Sequence, residues 1–340
     1  MPYFVYVSVG GEDRVNVFSM DPETGKLDTH AVIAVGNGPG PLCVDPNQRF
    51  LYAGLRGGRQ LAAFRLDRGS GRLAPLGTSP LEADPTFIST DRTGRYLLSA
   101  YYRAGMASVH SLRRDGSVGT PALFSVKTTD RAHSIQTDIS NNFAYVPHTA
   151  GPNLIYQYRF DEKTGRLSSN PAGARLEPPE GEGPRHFCFH PAMDIAYFVN
   201  EQSSSITAYN VNTQDGTLTR FQNVSSLPHG FEGENTCAEI RITPTGEYVY
   251  ASNRGHDSIA AFTVDGSTGA LEPLSHTPTE PTPRAFALDP DGAYLIAAGQ
   301  GSGRLAAYRV DDETGHLEPL ETYDVGTNPV CVLVLDLGQS

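Results

Sequence analysis

Short apolar and aromatic runs alternate with turn-forming residues along the whole chain. In residues 283–320, strand-length runs are separated by DPDG, by a Gly/Ser loop and by ETG. These separators are turn sequences, because glycine tolerates positive φ and aspartate hydrogen-bonds its own backbone. The pattern predicts four strands in this segment.

Two markers repeat the pattern seven times. An aromatic and aliphatic run recurs at intervals of 46, 46, 47, 52, 53 and 46 residues. Its copies end at Tyr6, Tyr52, Leu98, Tyr145, Tyr197, Tyr250 and Ile296. A TGxL-like turn keeps the same spacing, with its glycine at Gly25, Gly71, Gly116, Gly165, Gly216, Gly269 and Gly315. A repeat of this length indicates an array of similar units.

About 46 residues with four antiparallel strands is the size of one propeller blade, and a closed ring of blades protects the sheet edges. The sequence therefore predicts an all-β, seven-bladed β-propeller with four antiparallel strands per blade, forming a single domain over residues 1–340.

The two ends of the chain predict how the ring closes. The chain opens with YFVYVSV, which has the pattern of a second strand, and closes with NPVCVLVLD, which has the pattern of a first strand. We expect the C-terminal strand to complete the N-terminal blade. The alternative, an open solenoid, needs polar capping repeats, and neither end has that pattern.

The net charge indicates which partners the protein does not bind, and the start of the chain and the cysteines indicate its compartment. The formal net charge of -12 argues against binding to nucleic acid or an anionic membrane, since both need a positive field. The start has no features of a secretion signal, and no apolar stretch of about 18 residues occurs. We therefore expect a cytoplasmic protein. Its cysteines are widely spaced and predict buried free thiols: Cys43, Cys188, Cys237 and Cys331.

Candidate chemistry lies where the repeat breaks down. Residues that begin the innermost strand and residues that follow the second strand share one face, around the central funnel. A purely structural position should hold similar residues in every blade, yet these positions vary. Blades four to seven supply His133, His148, Arg185, His186, Glu201, Glu239, Arg254, Arg284 and Gln300. Any one arginine could form a structural ion pair with a glutamate. Several cations in the funnel of an acidic chain favour binding of an anionic small molecule.

The sequence predicts no metal site and no cofactor. It contains no HxH or HExxH motif and no Asp-rich calcium loop. Single acids from separate blades could still converge on a cation, but the positive charge of the funnel disfavours this alternative. His190 occupies a turn position that aspartate holds in other blades, which predicts a structural role.

Several segments resemble the bacterial 6-phosphogluconolactonase family of seven-bladed propellers, which also includes the fungal carboxy-cis,cis-muconate cyclases. They are GPRHFCFHP, YFVNEQSSSITAY, AEIRITPTGEYVYASNRGHDSIAAF, TPRAFALDPDGAYLIAAGQ and HSIQTDISNNFAYVPH. The resemblance covers essentially the whole chain. The third blade departs from it, with SAYYRAGMASVH in place of a small-residue loop.

The resemblance implies a lactonase that hydrolyses an anionic sugar lactone, 6-phosphogluconolactone above all. It carries functional roles over to His133, Arg185, Glu201 and Arg254, and also implies Arg284. We expect Glu201 to take a proton from water, Arg185 or Arg254 to stabilise the oxyanion, and His133 to protonate the leaving ring oxygen. We expect the remaining polar funnel residues, His186, Glu239, His148 and Gln300, to contact the substrate.

Two other functions stay open at this point. A lactonising cycloisomerase of the carboxymuconate type would use the same arginines to bind carboxylates. A non-enzymatic propeller that binds a protein partner would expose aromatic residues on its rim, where Tyr101 and Tyr102 form the one candidate pair in the sequence. The sequence indicates no particular oligomeric state.

Overall fold

A computed structural model describes residues 2–338 and shows seven antiparallel sheets around a central channel. The innermost strands of neighbouring sheets pack against one another at most of the boundaries around the ring. The described residues contain no helix, and hence no helical segment with the length and hydropathy needed to cross a membrane. The predicted all-β, seven-bladed propeller is confirmed.

Each blade keeps the number of its sequence repeat, and its strands are given from the channel outward. Blade 1 contains β29 (Pro329–Leu335), β1 (Tyr3–Val9), β2 (Arg14–Met20) and β3 (Leu27–Ala34). Blade 2 contains β4 (Pro39–Val44), β5 (Phe50–Leu55), β6 (Gln60–Leu66) and β7 (Leu73–Pro80). Blade 3 contains β8 (Phe87–Thr90), β9 (Tyr96–Tyr101), β10 (Met106–Ser111) and β11 (Phe124–Lys127). Blade 4 contains β12 (Gln136–Thr137), β13 (Phe143–His148), β14 (Leu154–Asp161), β15 (Arg166–Ser169) and β16 (Arg175–Leu176). Blade 5 contains β17 (Pro184–Phe189), β18 (Ile195–Asn200), β19 (Ser205–Val211) and β20 (Leu218–Ser225). Blade 6 contains β21 (Thr236–Ile242), β22 (Tyr248–Arg254), β23 (Ser258–Val264) and β24 (Leu271–Pro278). Blade 7 contains β25 (Pro283–Leu288), β26 (Tyr294–Gly299), β27 (Arg304–Val310) and β28 (Leu317–Asp324).

Blade 4 is the irregular member of the ring. Its inner strand β12 has only two residues, and an isolated bridge between Ala132 and His148 holds the chain before it. Its outer strand is divided into β15 and β16, which both pair with β14. The blade therefore keeps the four-stranded plan with an interrupted outer edge.

The two sequence markers hydrogen-bond to each other across blade boundaries. The hydroxyl of Tyr6 donates to the carbonyl oxygen of Gly71 in the next blade, at 2.7 Å. Equivalent bonds join Tyr52 to Gly116, Tyr145 to Gly216, Tyr197 to Gly269 and Tyr250 to Gly315. Gly71 has a φ of 65°, and a Cβ there would overlap the ring of Phe4. Blades 3 and 7 carry Leu98 and Ile296 instead and cannot form this bond.

Side chains also fix the turn between the first and second strands. In blade 3, Asp91 Oδ1 accepts hydrogen bonds from the backbone N–H groups of Arg95 and Tyr96, at 2.8 and 2.9 Å. In blade 5, His190 Nδ1 accepts two backbone N–H groups of the same turn. His190 is therefore structural, as its position predicts.

The C-terminal strand closes the ring as expected. β29 pairs antiparallel with β1, which places Leu335 opposite Phe4 and Cys331 opposite Ser8. The first blade thus combines strands from both ends of the chain. The single-domain organisation over residues 1–340 stays a prediction, which removal of β29 would test.

Candidate active site

A cavity of about 70 Å³ lies in the central channel, and all seven blades contribute to its wall. Its polar and charged lining residues are Arg56, Thr86, His133, Arg185, His186, Glu239, Arg241 and Arg284. A larger cleft of about 720 Å³ lies against the turns that contain Pro46 and Pro290, and no histidine lines it. The central cavity is therefore the place where the charged residues and imidazoles meet.

Bulges in the inner strands direct the arginines into this cavity. In β17 the register with β18 shifts between Pro184 and His186, so that Arg185 is the extra residue. In β25 the same shift occurs between Pro283 and Ala285, and Arg284 is the extra residue. A bulge changes the direction of a side chain relative to the regular strand. The two arginines reach the cavity by the same backbone feature.

The carboxylate of Glu201 joins two arginines at the channel. Glu201 follows β18, and its Oε1 lies 2.8 Å from Arg254 Nη2 while its Oε2 lies 3.5 Å from Arg185 Nε. Arg185 also donates to the carbonyl oxygen of Ala238 and is 1% exposed. Burial alone would raise the pKa of Glu201, but the two guanidinium groups bring it below its usual value. Glu201 is therefore a stable anion that fixes both arginines.

A second carboxylate orients an imidazole. His186 Nδ1 lies 3.0 Å from Glu239 Oε1, and Arg241 Nη1 lies 2.8 Å from the same oxygen. Burial would raise the pKa of Glu239, yet Arg241 and His186 lower it to about 2. An ionised carboxylate only accepts hydrogen bonds, so Nδ1 carries the proton. His186 Nε2 then carries the lone pair, and this atom is buried without a hydrogen-bond partner.

His133 lies against His186, with the two ring centroids 4.9 Å apart. On its other side the ring of Tyr102 packs edge-on at 5.7 Å. Burial, followed by the nearby charge of Arg185, holds the pKa of His133 well below its usual value. Burial likewise lowers the pKa of His186 to about 4. Both imidazoles are therefore neutral near pH 7.

Four predicted site residues do not line the cavity. Glu201 and Arg254 still belong to the site, because Glu201 pairs with both Arg254 and Arg185. His148 and Gln300 lie apart from it. Neighbouring side chains of a strand point to opposite faces, and Thr149, rather than His148, occupies the position equivalent to Glu201. His148 consequently points into the blade, where Nδ1 lies 2.8 Å from the carbonyl oxygen of Asp130 and the ring packs on Tyr156. Gln300 is at the equivalent position in blade 7, but its amide donates to Asn328.

The rim aromatic pair expected of a partner-binding propeller is not formed. Tyr101 is fully buried, and its hydroxyl bonds to Glu82 and Ser108. Tyr102 packs against His133 beside the cavity. Neither ring offers an exposed docking surface.

Sequence reasoning missed two charged residues of the cavity wall. Arg56 follows β5 at the position that Glu201 and Arg254 hold in their blades, four residues after the aromatic marker. That spacing was a sufficient signal. Arg241 lies two residues after Glu239 on β21. When the repeats are aligned, the residues equivalent to Arg241 in the other blades are uncharged, and this difference was a signal for Arg241.

The charge balance of this site favours an anionic ligand. Among the described residues that line the cavity or form the ion pairs of Glu201, five guanidinium groups face two carboxylates: Arg56, Arg185, Arg241, Arg254 and Arg284 against Glu201 and Glu239. Low exposure strengthens these interactions, because water screens them less. Within residues 2–338, no three His, Cys, Asp or Glu side chains form a cluster suited to a metal ion.

Comparisons with known proteins identify the family. Residues 4–334 match the family model described as lactonase, 7-bladed β-propeller. The 6-phosphogluconolactonase of Pectobacterium carotovorum is 35% identical over 289 residues, which cover 85% of each chain. That of Klebsiella pneumoniae subsp. pneumoniae is also 35% identical, over 85% of this chain and 86% of its own.

A solved structure agrees with this result. The periplasmic gluconolactonase of Pseudomonas aeruginosa superposes with a TM-score of 0.90 at 25% identity, over 98% of this chain and 99% of that one. The family resemblance seen in the sequence and the prediction of a lactone-hydrolysing enzyme are confirmed at the level of the family. The chain belongs to the lactonase family of seven-bladed β-propellers.

Proposed function

We propose that the protein hydrolyses 6-phosphogluconolactone to 6-phosphogluconate. The observation that supports this most directly is a buried cavity that combines an excess of guanidinium groups with two neutral imidazoles. A phosphorylated sugar lactone needs cations for its phosphate and a proton carrier for its ester. Relatives named 6-phosphogluconolactonase, which align over most of this chain, agree with that substrate.

Arg185 is the residue we assign to the oxyanion. Its guanidinium is held by Glu201 and by the carbonyl oxygen of Ala238, so its remaining N–H groups are fixed in direction. A fixed donor stabilises the negative charge that develops on the carbonyl oxygen when water attacks. One such donor contributes about 3 kcal/mol to transition-state stabilisation in hydrolases. Arg254, held by the same carboxylate, and Arg284 then bind other oxygens of the substrate.

His186 is the residue we assign to proton transfer. Its Nε2 takes a proton from the attacking water while the water oxygen bonds to the lactone carbonyl carbon. The resulting imidazolium is stabilised by Glu239. It returns the proton to the ring oxygen as the bond between carbonyl carbon and ring oxygen breaks, which leaves an alcohol and a carboxylic acid that ionises. His133 lies beside His186 and lines the same cavity.

This assignment differs from the expectation that Glu201 is the base and His133 the acid. Glu201 is engaged by two arginines, which lower its pKa and weaken it as a base. His133 is neutral, so it holds no extra proton to give to a leaving group. In the proposed mechanism the imidazole of His186 is first the base and then the acid, and Glu239 stabilises its protonated form.

We also infer a cytoplasmic location and an anionic lactone or sugar acid as the small-molecule partner. All four cysteines are free thiols, which agrees with a reducing compartment. The expectation that the protein binds neither nucleic acid nor membrane stays a prediction.

The experiment that tests the proposed function is an assay of the purified protein on three compounds: 6-phosphogluconolactone, glucono-δ-lactone and carboxymuconate. Acid release above the spontaneous rate is followed by pH-stat, and loss of carboxymuconate by ultraviolet absorbance. We expect the highest kcat/KM on 6-phosphogluconolactone. Turnover of carboxymuconate alone would show a cycloisomerase instead, and turnover of none would contradict the proposal.

A further inference from the structure

Arg56 brings positive charge to the cavity from the side of blade 2. It directly follows β5, and its side chain lines the cavity together with Arg185 and Arg284. Blades 2 and 7 lie on either side of blade 1, and Arg56 and Arg284 are close enough for each charge to disfavour the other. The two side chains therefore enter the cavity from the blades beside blade 1, whereas His133 and His186 enter it from blades 4 and 5 on the other side of the ring.

Gly40 makes room for the stem of Arg56. A Cβ at residue 40 would lie 2.5 Å from Arg56 Cδ and 2.9 Å from its Cγ, which is inside van der Waals contact. Gly40 lies in the bulge of β4, where the register shifts between Pro39 and Leu42. The backbone of the bulge thus fixes the course of the Arg56 side chain into the channel.

Arg56 and Arg284 differ from the other arginines of the site in their pairing. Arg185 and Arg254 share Glu201, and Arg241 is paired with Glu239. Within the described part of the chain, neither Arg56 nor Arg284 has a carboxylate at ion-pair distance or a side-chain hydrogen bond.

Burial nevertheless removes water from both groups, and it lowers the pKa of each guanidinium. The carboxylate of Asp84 favours the charged form of Arg56, but it lies beyond ion-pair distance. It accepts a hydrogen bond from the backbone N–H of Arg59 instead. Partly desolvated cations without a protein partner are costly unless a ligand supplies the anion.

We propose that Arg56 and Arg284 form the subsite for the phosphate group of the substrate, and that Arg56 selects phosphorylated over unphosphorylated lactones. This inference rests on the proposed function. In 6-phosphogluconolactone the phosphate on C6 and the lactone carbonyl at C1 lie on either side of the ring oxygen, so they need separate cationic groups. Guanidinium groups bind phosphate oxygens in bidentate fashion, which suits a dianionic group between two arginines.

The test compares kcat/KM on 6-phosphogluconolactone and on glucono-δ-lactone in four variants. Arg56→Met removes the charge and keeps the stem, and Arg56→Lys keeps the charge but not the planar fork. Gly40→Ala keeps every charged group and displaces the Arg56 stem. Arg65→Met on β6 is the matched control, because Arg65 is exposed.

We expect Arg56→Met to lower kcat/KM on the phosphorylated lactone by about 10- to 100-fold, the range for a lost charged hydrogen bond, and to change it less than about threefold on glucono-δ-lactone. Gly40→Ala and Arg56→Lys should show the same selective loss to a smaller extent, and Arg65→Met should show none. Equal losses on both lactones, or no loss, would overturn the proposal.

Calorimetric titration with 6-phosphogluconate and gluconate separates this inference from the proposed function. If the parent protein hydrolyses neither lactone, the proposed function fails. The subsite is then still supported if the parent binds 6-phosphogluconate more tightly than gluconate and Arg56→Met abolishes the difference. It is overturned if both compounds bind equally or if the variant keeps the preference.

Discussion

His186 Nδ1 lies 3.0 Å from Glu239 Oε1, across the boundary between blades 5 and 6. The two residues are 53 positions apart in the sequence, and only the packing of β17 against β21 brings them together. This contact decides which imidazole nitrogen faces the cavity. It also separates the proton-transfer pair from Arg185 and Arg254, which Glu201 holds.

His186→Gln should lower kcat by about 100-fold or more, as expected when a general base is lost. Glu239→Gln should lower kcat by a smaller factor, because the imidazole remains but its orienting carboxylate does not. Rates are measured at saturating lactone. Glu247→Gln, an exposed change in the same blade, is the control and should keep the parent rate. Parent-like rates in both site variants would show that another group transfers the proton.

Glu201→Gln should lower kcat by about 10- to 100-fold, because Arg185 and Arg254 lose the carboxylate that orients them. Affinity for 6-phosphogluconate should stay the same or increase, since a negative charge near the anionic ligand is removed. Stopped assays and calorimetric titration measure the two quantities separately. Weaker product binding together with a lower rate would contradict this role for Glu201.

The free energy of unfolding should decrease as pH falls from about 6.5 to about 4. Burial lowers the pKa of His148 and of His186 to about 4, so between these values the unfolded chain binds protons that the folded chain does not. His148→Gln should reduce the pH dependence of stability and leave kcat unchanged, because His148 points away from the cavity. Denaturant titrations at several pH values measure the slope. An unchanged slope in this variant would contradict the assignment.

Deletion of residues 327–336 should give an aggregated or unfolded product, because it removes β29 and exposes the edge of β1. A circular permutant that places residues 327–338 before residue 2 is the control, since it restores β29 through an ordinary turn between first and second strands. This permutant should keep the parent Tm. A soluble deletion variant with the parent Tm would show that β29 is not needed for ring closure.

The fold was predictable because its repeated residues have the same structural role in most copies. Tyr6 and Gly71 mark two repeats in the sequence, and in the structure they bond to each other across the boundary. The placement of Glu201 and Arg254 was predictable because they break that regularity at one position of the repeat. The prediction that His148 lines the cavity is wrong, because the position equivalent to Glu201 is one residue later in the sequence. A shift of one residue along a strand turns the side chain to the opposite face of the sheet.

The pairing within the site could not be read from the sequence. His186 and Glu239 were both found, but nothing in their spacing indicates that one orients the other. Similarly, the bulge that makes Arg185 an extra residue depends on register with β18, and register is a property of two strands together. Sequence identified most of the charged groups, and packing determined what each of them contacts.

The bulge in β25 separates the evolution of specificity from the maintenance of the ring. It places Arg284 in the channel, while the tyrosine hydroxyls hold neighbouring blades together elsewhere. Arg185 and Glu239 also lie at bulges, but each bonds to a neighbouring blade. Arg284 forms no side-chain hydrogen bond or ion pair within the described residues, so its substitution exchanges a group that faces the ligand without removing such a contact. A duplicated gene for this propeller can therefore acquire a new substrate through a change at residue 284, at little cost to folding.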